Sequence, residues 1–494
     1  MRGFDRSTHS VGHDAAVAVM SQRARRGVIG IVVAFAVLGL LNVFTVPPLL
    51  PRDESSHVSY ALRVAHGHLP KLDDRNVRGV IPHMRTSLPI FTANHPPLLY
   101  AIVAVPLEIG VRAHRPILGL RAARATSFLF AIATVIGAAL LAGLALPGRE
   151  SIPVVTAAVV ALTPTVPHET ALVYNDAIGM AGSTWLLVAG MLIFRRGPSR
   201  RLVVLLLAAA AFVALARSSS LFALPSAIAL AGFGARRWRP ALLIGAGAVA
   251  TAALAGGWFY LRNKHLYGSF LGNGYLKRPS GLPIVKRPYL ETLVDVHIYR
   301  HMLGRLWDGW AFASRLPPWP GYIGAAVELP AVVGLGIAGG HAVQRRARPA
   351  RETVIVWSCL AVFSLIVFAS VVGFVSIGGN AHARYLFPLL PIVGILVGIG
   401  YARLPWVLTP LAICWSALAN VALWHRFVIA NGGVESNTPG VAEIQALREA
   451  ELRGAPIVLA IAAIAFAVGM ALAVRSVWGR YPAGTAESRA TSPA

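Results

Sequence analysis

The sequence predicts an all-α polytopic membrane protein with about twelve transmembrane helices and a long external first loop. Composition is the first reason: of 494 residues, 56% are hydrophobic and 13% charged, and the mean hydropathy is +0.64. Apolar runs recurring along the whole chain are the second. The third is that arginine clusters punctuate those runs as they do the cytoplasmic loops of membrane proteins. Together they exclude an ordinary soluble globular protein and a disordered one.

The first run, Gly27 to Val46, follows Arg23, Arg25 and Arg26. It is too long for a signal-peptide core, and Pro47, Pro48 and Pro51 follow it in place of a small-residue cleavage site, so it reads as a retained signal anchor. Further helical runs fall at 125–146, 152–166, 177–194, 202–217, 219–234, 241–261, 321–342, 353–377, 385–402, 406–424 and 455–474. The segment Pro96 to Val111 is ambiguous, because it is short, broken by Pro106 and carries Glu108.

Charge resolves the ambiguity, since counting one more span inverts the side of every later loop. If Pro96 to Val111 does not cross, then Arg195/Arg196/Arg200/Arg201, Arg236/Arg237/Arg239, Arg345/Arg346/Arg348/Arg351, Arg403 and Arg475/Arg480 share the cytoplasmic side with the amino terminus. A crossing would export those clusters and improve only the placement of Arg112 to Arg124. The expectation is therefore twelve spans with both termini cytoplasmic and Pro96 to Val111 half-inserted or juxtamembrane. Residues 1–26 form a cytoplasmic tail, 27–478 one transmembrane domain with external loops 47–124, 262–320 and 425–454, and 479–494 a small, polar, disordered tail.

Lys plus Arg number 45 against 20 Asp plus Glu, a formal charge of +25, and the only lysines are Lys71, Lys264, Lys277 and Lys286. Topology and lipid headgroups account for such a balance, and no basic soluble segment offers a nucleic-acid recognition pattern. Cys359 and Cys414 both sit in apolar runs, which excludes a disulfide framework and a cysteine-based zinc site.

Chemistry-bearing residues concentrate on the predicted external side. Pro51 to Pro70 reads as a short helix capped by Asp53 and Ser55 and stopped at Gly67 and Pro70, with Val58, Leu62 and Ala65 on a face toward the bilayer. Asp53, Glu54 and His57 share one edge of it. An N-terminal cap alone explains an Asp-Glu pair, yet boundary carboxylates in a chain this poor in acids are functional by default. Asn94, His95 and Tyr100 open the ambiguous segment, where prolines 96 and 97 signal a helix start. Residues 167–176, PHETALVYND, bring His168, Glu169, Tyr174, Asn175 and Asp176, with helix capping as the alternative role for the last two. Arg217, Arg262 and Arg384 lie at outer ends of spans; each alone suits an interface anchor, and as a set they suit a lipid-borne phosphate. Trp258, Trp307, Trp310 and Trp319 fit an interfacial belt or a sugar platform.

These elements in this order resemble the GT-C superfamily of membrane glycosyltransferases, which includes protein O-mannosyltransferases, the lipid A aminoarabinose transferase and actinobacterial arabinosyl- and mannosyltransferases. The likeness runs from about residue 47 to 400, through Asp53-Glu54-Ser55-Ser56-His57, His95 to Tyr100, Asn175-Asp176-Ala177, Trp307-Asp308-Gly309-Trp310 and Arg384 to Pro391. The resemblance implies an extracytoplasmic active site in a bacterial cytoplasmic membrane and a sugar on polyprenyl phosphate as donor. It implies Asp53 as catalytic base and Asp176 as second acid of the site. The aminoarabinose transferase carries Lys in the segment where this chain has His95.

The chemistry suits those residues. A sugar phosphodiester already has a good leaving group, so one carboxylate must take the acceptor's proton while cations stabilise the departing phosphate. Asp53 is expected as base with Glu54 and His57 positioning it or the acceptor; Arg262 and Arg384, with Arg217 behind them, are expected as phosphate ligands, and a single displacement inverts the anomeric centre. Asp53, Asp176 and a histidine leave a divalent cation open, but their spacing is no metal signature and none is assigned. The acceptor is expected to be a glycan, lipid or protein; the Arg- and Ala-rich, Lys-poor composition points to a GC-rich actinobacterial genome and an arabinan or mannan destination. A flippase for lipid-linked saccharides would need ionisable residues deep within several spans, where this chain has Ala, Leu, Val, Ile and Gly. A non-catalytic envelope-assembly protein would tolerate loss of Asp53.

Overall fold

The computed structural model describes residues 19–50, 52–82, 84, 87–272, 286–307, 319–344 and 348–479, without the side chains of 52, 319–323 and 325. Residues 1–18 and 480–494 of the predicted tails, and Asp308, Gly309 and Trp310, lie outside the described residues.

Among the described residues the chain is helical, with one isolated bridge between Arg75 and Pro89. In order the helices are α1 (Gln22–Thr45), α2 (Arg52–Ala65), α3 (Leu98–Arg112), α4 (Pro116–Ala145), α5 (Ser151–Leu162) and α6 (Thr165–Glu169). There follow α7 (Asn175–Arg196), α8 (Arg200–Ala216), a 3-10 turn Ser218–Ala223 leading into α9 (Leu224–Ala235), and α10 (Trp238–Tyr267). Then come α11 (Tyr289–Val294), α12 (Val296–Trp307), α13 (Trp319–Gln344), α14 (Arg351–Ser376), and a second 3-10 turn Ala383–Leu389 leading into α15 (Leu390–Tyr401). The last are α16 (Leu408–Asn431), α17 (Val441–Glu449) and α18 (Ala455–Val477).

Every apolar run read from the sequence is helical, and ten of the segments are long and apolar enough to cross a membrane. The other two are shorter: α5 has 12 residues and α8 has 17. The run expected at 152–166 breaks because Thr163, before Pro164, is extended, as the residue before a proline tends to be. Beyond the break the chain turns through α6, whose side chains are all buried. α3 has 15 residues, about 22 Å of helix, against the ~30 Å of a hydrocarbon core. It folds back along the start of α4, where a Cβ on Gly119 would lie 3.0 Å from Gly110 Cα, so only glycine permits that approach.

The two ends of the bundle differ. At one end Arg23 of α1 hydrogen-bonds the Trp478 carbonyl, placing the start of α1 beside the end of α18. At that same polarity Arg195 donates to the Leu144 and Ala145 carbonyls and to Glu352, tying the ends of α4 and α7 to the start of α14. The opposite end gathers the close of α1, all of α2, the start of α4, α6, the start of α7 and the second 3-10 turn.

Candidate active site

At that opposite end lies a cavity of about 760 Å³ lined by several charged side chains. Asp53 and His57 reach it because they are one helical turn apart on α2. Asn175 and Asp176 enter from the first turn of α7, Arg217 from the close of α8, and Arg384 from the 3-10 turn before α15. His95 lines it from the approach to α3.

Arg384 is the hub. Its guanidinium hydrogen-bonds Asp53, stands 3.7 Å from Glu169 and 3.9 Å from Asp176, and lies 4.9 Å from the centre of the Tyr174 ring. Asp176 is also hydrogen-bonded by Arg217. No side chain caps the start of α7, so Asp176 is committed to arginine and not to free helix amides. Asp53 keeps 22% of its side-chain surface exposed, more than any other member of this cluster, and is its most accessible carboxylate.

The imidazoles are neutral donors or acceptors. Burial pushes His95 down to about 3 and holds His57 well below its ordinary value. His95 thus cannot supply the positive charge of a lysine at this place. Its ring stacks with that of His57 at 6.3 Å, and its carbonyl accepts from Tyr60. Tyr100 is buried beside the cavity and stands behind His57, with its hydroxyl 3.0 Å from Nδ1.

Two expected site residues do other work. Glu54 is fully buried and faces away from the cavity: Arg124 grips it bidentately, Nε to Oε1 at 2.7 Å and Nη2 to Oε2 at 2.6 Å, and the Val173 amide adds a third bond. Arg124 also donates to the carbonyls of Val46 and Pro47. With both oxygens occupied, Glu54 is a strut joining α1, α2 and α4. Arg262 lies within α10, outside the cavity lining, and donates to the carbonyls of Leu69 and Pro70, pinning the loop between α2 and α3. The face of α2 bearing Val58 and Leu62 is buried against α3 and its approach, not turned to a bilayer. Trp258 is exposed, whereas Trp307 is buried and donates to Glu328.

The structure adds residues that spacing alone did not single out. His382, pushed down to about 4 by burial and the adjacent Arg384, lines the cavity two positions before Arg384. Glu169, noted only as part of its loop, belongs to the charged cluster, and burial raises it to about 7. Glu169 was hidden because its partner Arg384 is remote in sequence. Among the described residues, no group of three or more His, Cys, Asp and Glu side chains is placed to hold a metal ion.

A second cavity of about 230 Å³ adjoins the first through Val371, which lines both. Its other walls are apolar for the most part, with Leu162, Met302, Leu306, Phe368 and Leu390 among them.

Fold and site together define a polytopic helical membrane protein with a charged cavity at one end of its bundle, backed by an apolar chamber. No protein-family model matches the chain, and no curated protein matches it. Among solved structures it is similar to ArnT from Cupriavidus metallidurans in the apo state, at 15% identity over 89% of this chain and 74% of that one, with a TM-score of 0.47. The same protein bound to undecaprenyl phosphate gives 17% identity, 90% and 76% coverage and a TM-score of 0.46. These figures describe a distant likeness, and the functional reading rests on this chain's own residues.

Proposed function

We propose that this protein is an inverting membrane glycosyltransferase that moves a sugar from a polyprenyl-phosphate donor to a hydroxyl acceptor of the cell envelope, on the extracytoplasmic side. The observation that carries the reading is the accessible carboxylate of Asp53 held on Arg384, with Asp176 and Arg217 beside it, in a charged cavity that adjoins an apolar chamber through Val371. Guanidinium groups suit phosphate oxygens, and the apolar chamber suits the first isoprene units behind them.

The transfer follows from the arrangement. A phosphate arriving at Arg384 competes with Asp53 for the guanidinium and leaves that carboxylate free to face the acceptor. As the acceptor oxygen bonds to the anomeric carbon, its proton passes to Asp53 and the bond from that carbon to the phosphate oxygen breaks. Polyprenyl phosphate leaves with the electron pair, its charge met by Arg384 and Arg217. His57 and His95, both neutral, offer hydrogen bonds to sugar hydroxyls from one wall.

The Arg-rich end around Arg23 and Arg195 supports a cytoplasmic assignment for that end, which leaves the cavity outside. The test is turnover by the full chain in lipid nanodiscs, supplied with mannosyl- and arabinosyl-phosphate polyprenols and a crude envelope-glycan acceptor. Release of polyprenyl phosphate by wild type and not by Asp53→Asn is expected; equal release by both would remove Asp53 as base.

A further inference from the structure

The charged cluster holds one carboxyl that the transfer does not use. Glu169 closes the short buried helix α6, with 4% of its side-chain surface exposed and no place in the cavity lining. Its Oε2 stands 3.7 Å from Arg384 Nη1, too far for a hydrogen bond, and has no hydrogen-bond partner among the described residues. Asp53, Asp176 and Glu169 thus surround Arg384 and Arg217 with one negative charge more than the two arginines supply.

A phosphate diester placed on Arg384 would add another negative charge to this buried set, and a buried uncompensated charge is costly. The cluster can shed the excess by protonating one carboxylate. Asp176 keeps its hydrogen bond from Arg217, and Asp53, when the phosphate displaces it, is the most exposed of the three at 22%; Glu169 is 4% exposed and its Oε2 has no hydrogen-bond partner among the described residues. We propose that Glu169 is a positioning residue that takes up a proton from solvent as a phosphate group settles on Arg384, linking phosphate binding to protonation. This rests on the reading that Arg384 meets a phosphate.

The surroundings single out Glu169. Arg384, then Asp176 and Asp53, are the charges that act on it, and the Tyr174 phenol lies on the same loop. Neighbouring α5 carries no titratable side chain, and α1 offers Asn42 to His168. From α12 the loop receives the Leu306 carbonyl at Thr165, while the Arg305 charge acts on His382. Burial already places Glu169 at about 7, so it is part-protonated near neutrality, and a nearby anion raises it further. Binding is therefore favoured at low pH and weakens as pH rises through that value.

The test uses the full chain in nanodiscs and two probes of constant single charge: a polyprenyl methyl phosphodiester and dimethyl phosphate. Between about pH 7 and 9, wild-type affinity for the lipid probe should fall by up to about tenfold per pH unit, the slope of one linked proton. Glu169→Gln, which keeps the shape of the neutral carboxyl, should bind at about pH 9 as wild type does at about pH 6, with no slope. Calorimetry of wild type in two buffers of different ionisation enthalpy repeats the test without a substitution: uptake of about one proton at about pH 8 supports the linkage, and none overturns it. A slope that persists in Glu169→Gln also overturns it. Binding with a flat profile would sink the linkage and leave the phosphate reading standing, whereas wild type that binds neither probe removes both. Tighter binding of the lipid probe assigns the site to a lipid headgroup, and equal binding to a soluble phosphate; the proton linkage holds in either case.

Discussion

Arg384 and Asp53 are hydrogen-bonded across 331 positions of sequence, joining the turn before α15 to the first turn of α2. On the proposed function, the guanidinium that meets the phosphate is stored on the carboxylate that meets the acceptor. The two functions are coupled by competition for one group. Asp53→Asn should lower transfer by about 10²- to 10⁴-fold, the range for loss of a general base. Thermal unfolding in detergent should stay close to wild type, because Asp53 is partly exposed. Activity assays paired with melting curves check both halves.

The neighbouring carboxylate should behave in the opposite way. Glu54 and Arg124 are buried and pair bidentately, so removing one partner leaves the other charged and unmatched. Such losses cost about 3–5 kcal/mol. Arg124→Ala or Glu54→Gln should sharply reduce the folded protein recovered from membranes and its melting temperature. A stable Glu54→Gln with lost activity would return Glu54 to the chemistry.

Arg384→Lys separates charge from geometry. Lysine keeps the positive charge but cannot reach Asp53, Asp176 and Glu169 as a planar fork does. Turnover should fall by roughly 10²-fold, in line with loss of a transition-state charge stabiliser. Steady-state kinetics with the lipid donor varied would show whether the loss falls in kcat.

Behind His57, the Tyr100 hydroxyl is replaceable at small cost. Tyr100→Phe removes one hydrogen bond, worth about 1 kcal/mol, while keeping the ring stacked on Tyr60 at 3.8 Å. A change of less than about tenfold in kcat/KM is expected, with no loss of folded protein.

Sidedness can be read by labelling. In a background lacking Cys359 and Cys414, a cysteine at Asn437, between α16 and α17, should react with an impermeant maleimide on intact cells. One at Ser199, before α8, should react only after permeabilisation. The reverse pattern would put the cavity in the cytoplasm.

Much of the fold was legible because bilayer-spanning helices are written in local composition, although α4 begins at Pro116, well before the expected 125. Proline explains where the reading slipped: Pro164 ends α5 before the expected residue 166, and Pro388 and Pro391 flank the change from 3-10 turn to α15. In the site, Asp53, His57, His95, Asn175, Asp176, Arg217 and Arg384, each picked out by residue type, line one cavity. Glu54 and Arg262 differ because their orientation depends on tertiary partners, Arg124 and the Leu69–Pro70 carbonyls, that no local pattern announces. Glu169 stayed hidden for the same reason, since its significance comes from Arg384.

The central claim is that Asp53 serves sugar transfer to the envelope. Its most direct test is the envelope-glycan composition of a strain lacking the protein, complemented by wild type or by Asp53→Asn at matched membrane levels. Wild type should restore a missing sugar and the Asn variant should not, and the sugar restored names the donor. Equal restoration by both would contradict the account and leave Asp53 as no more than the resting partner of Arg384.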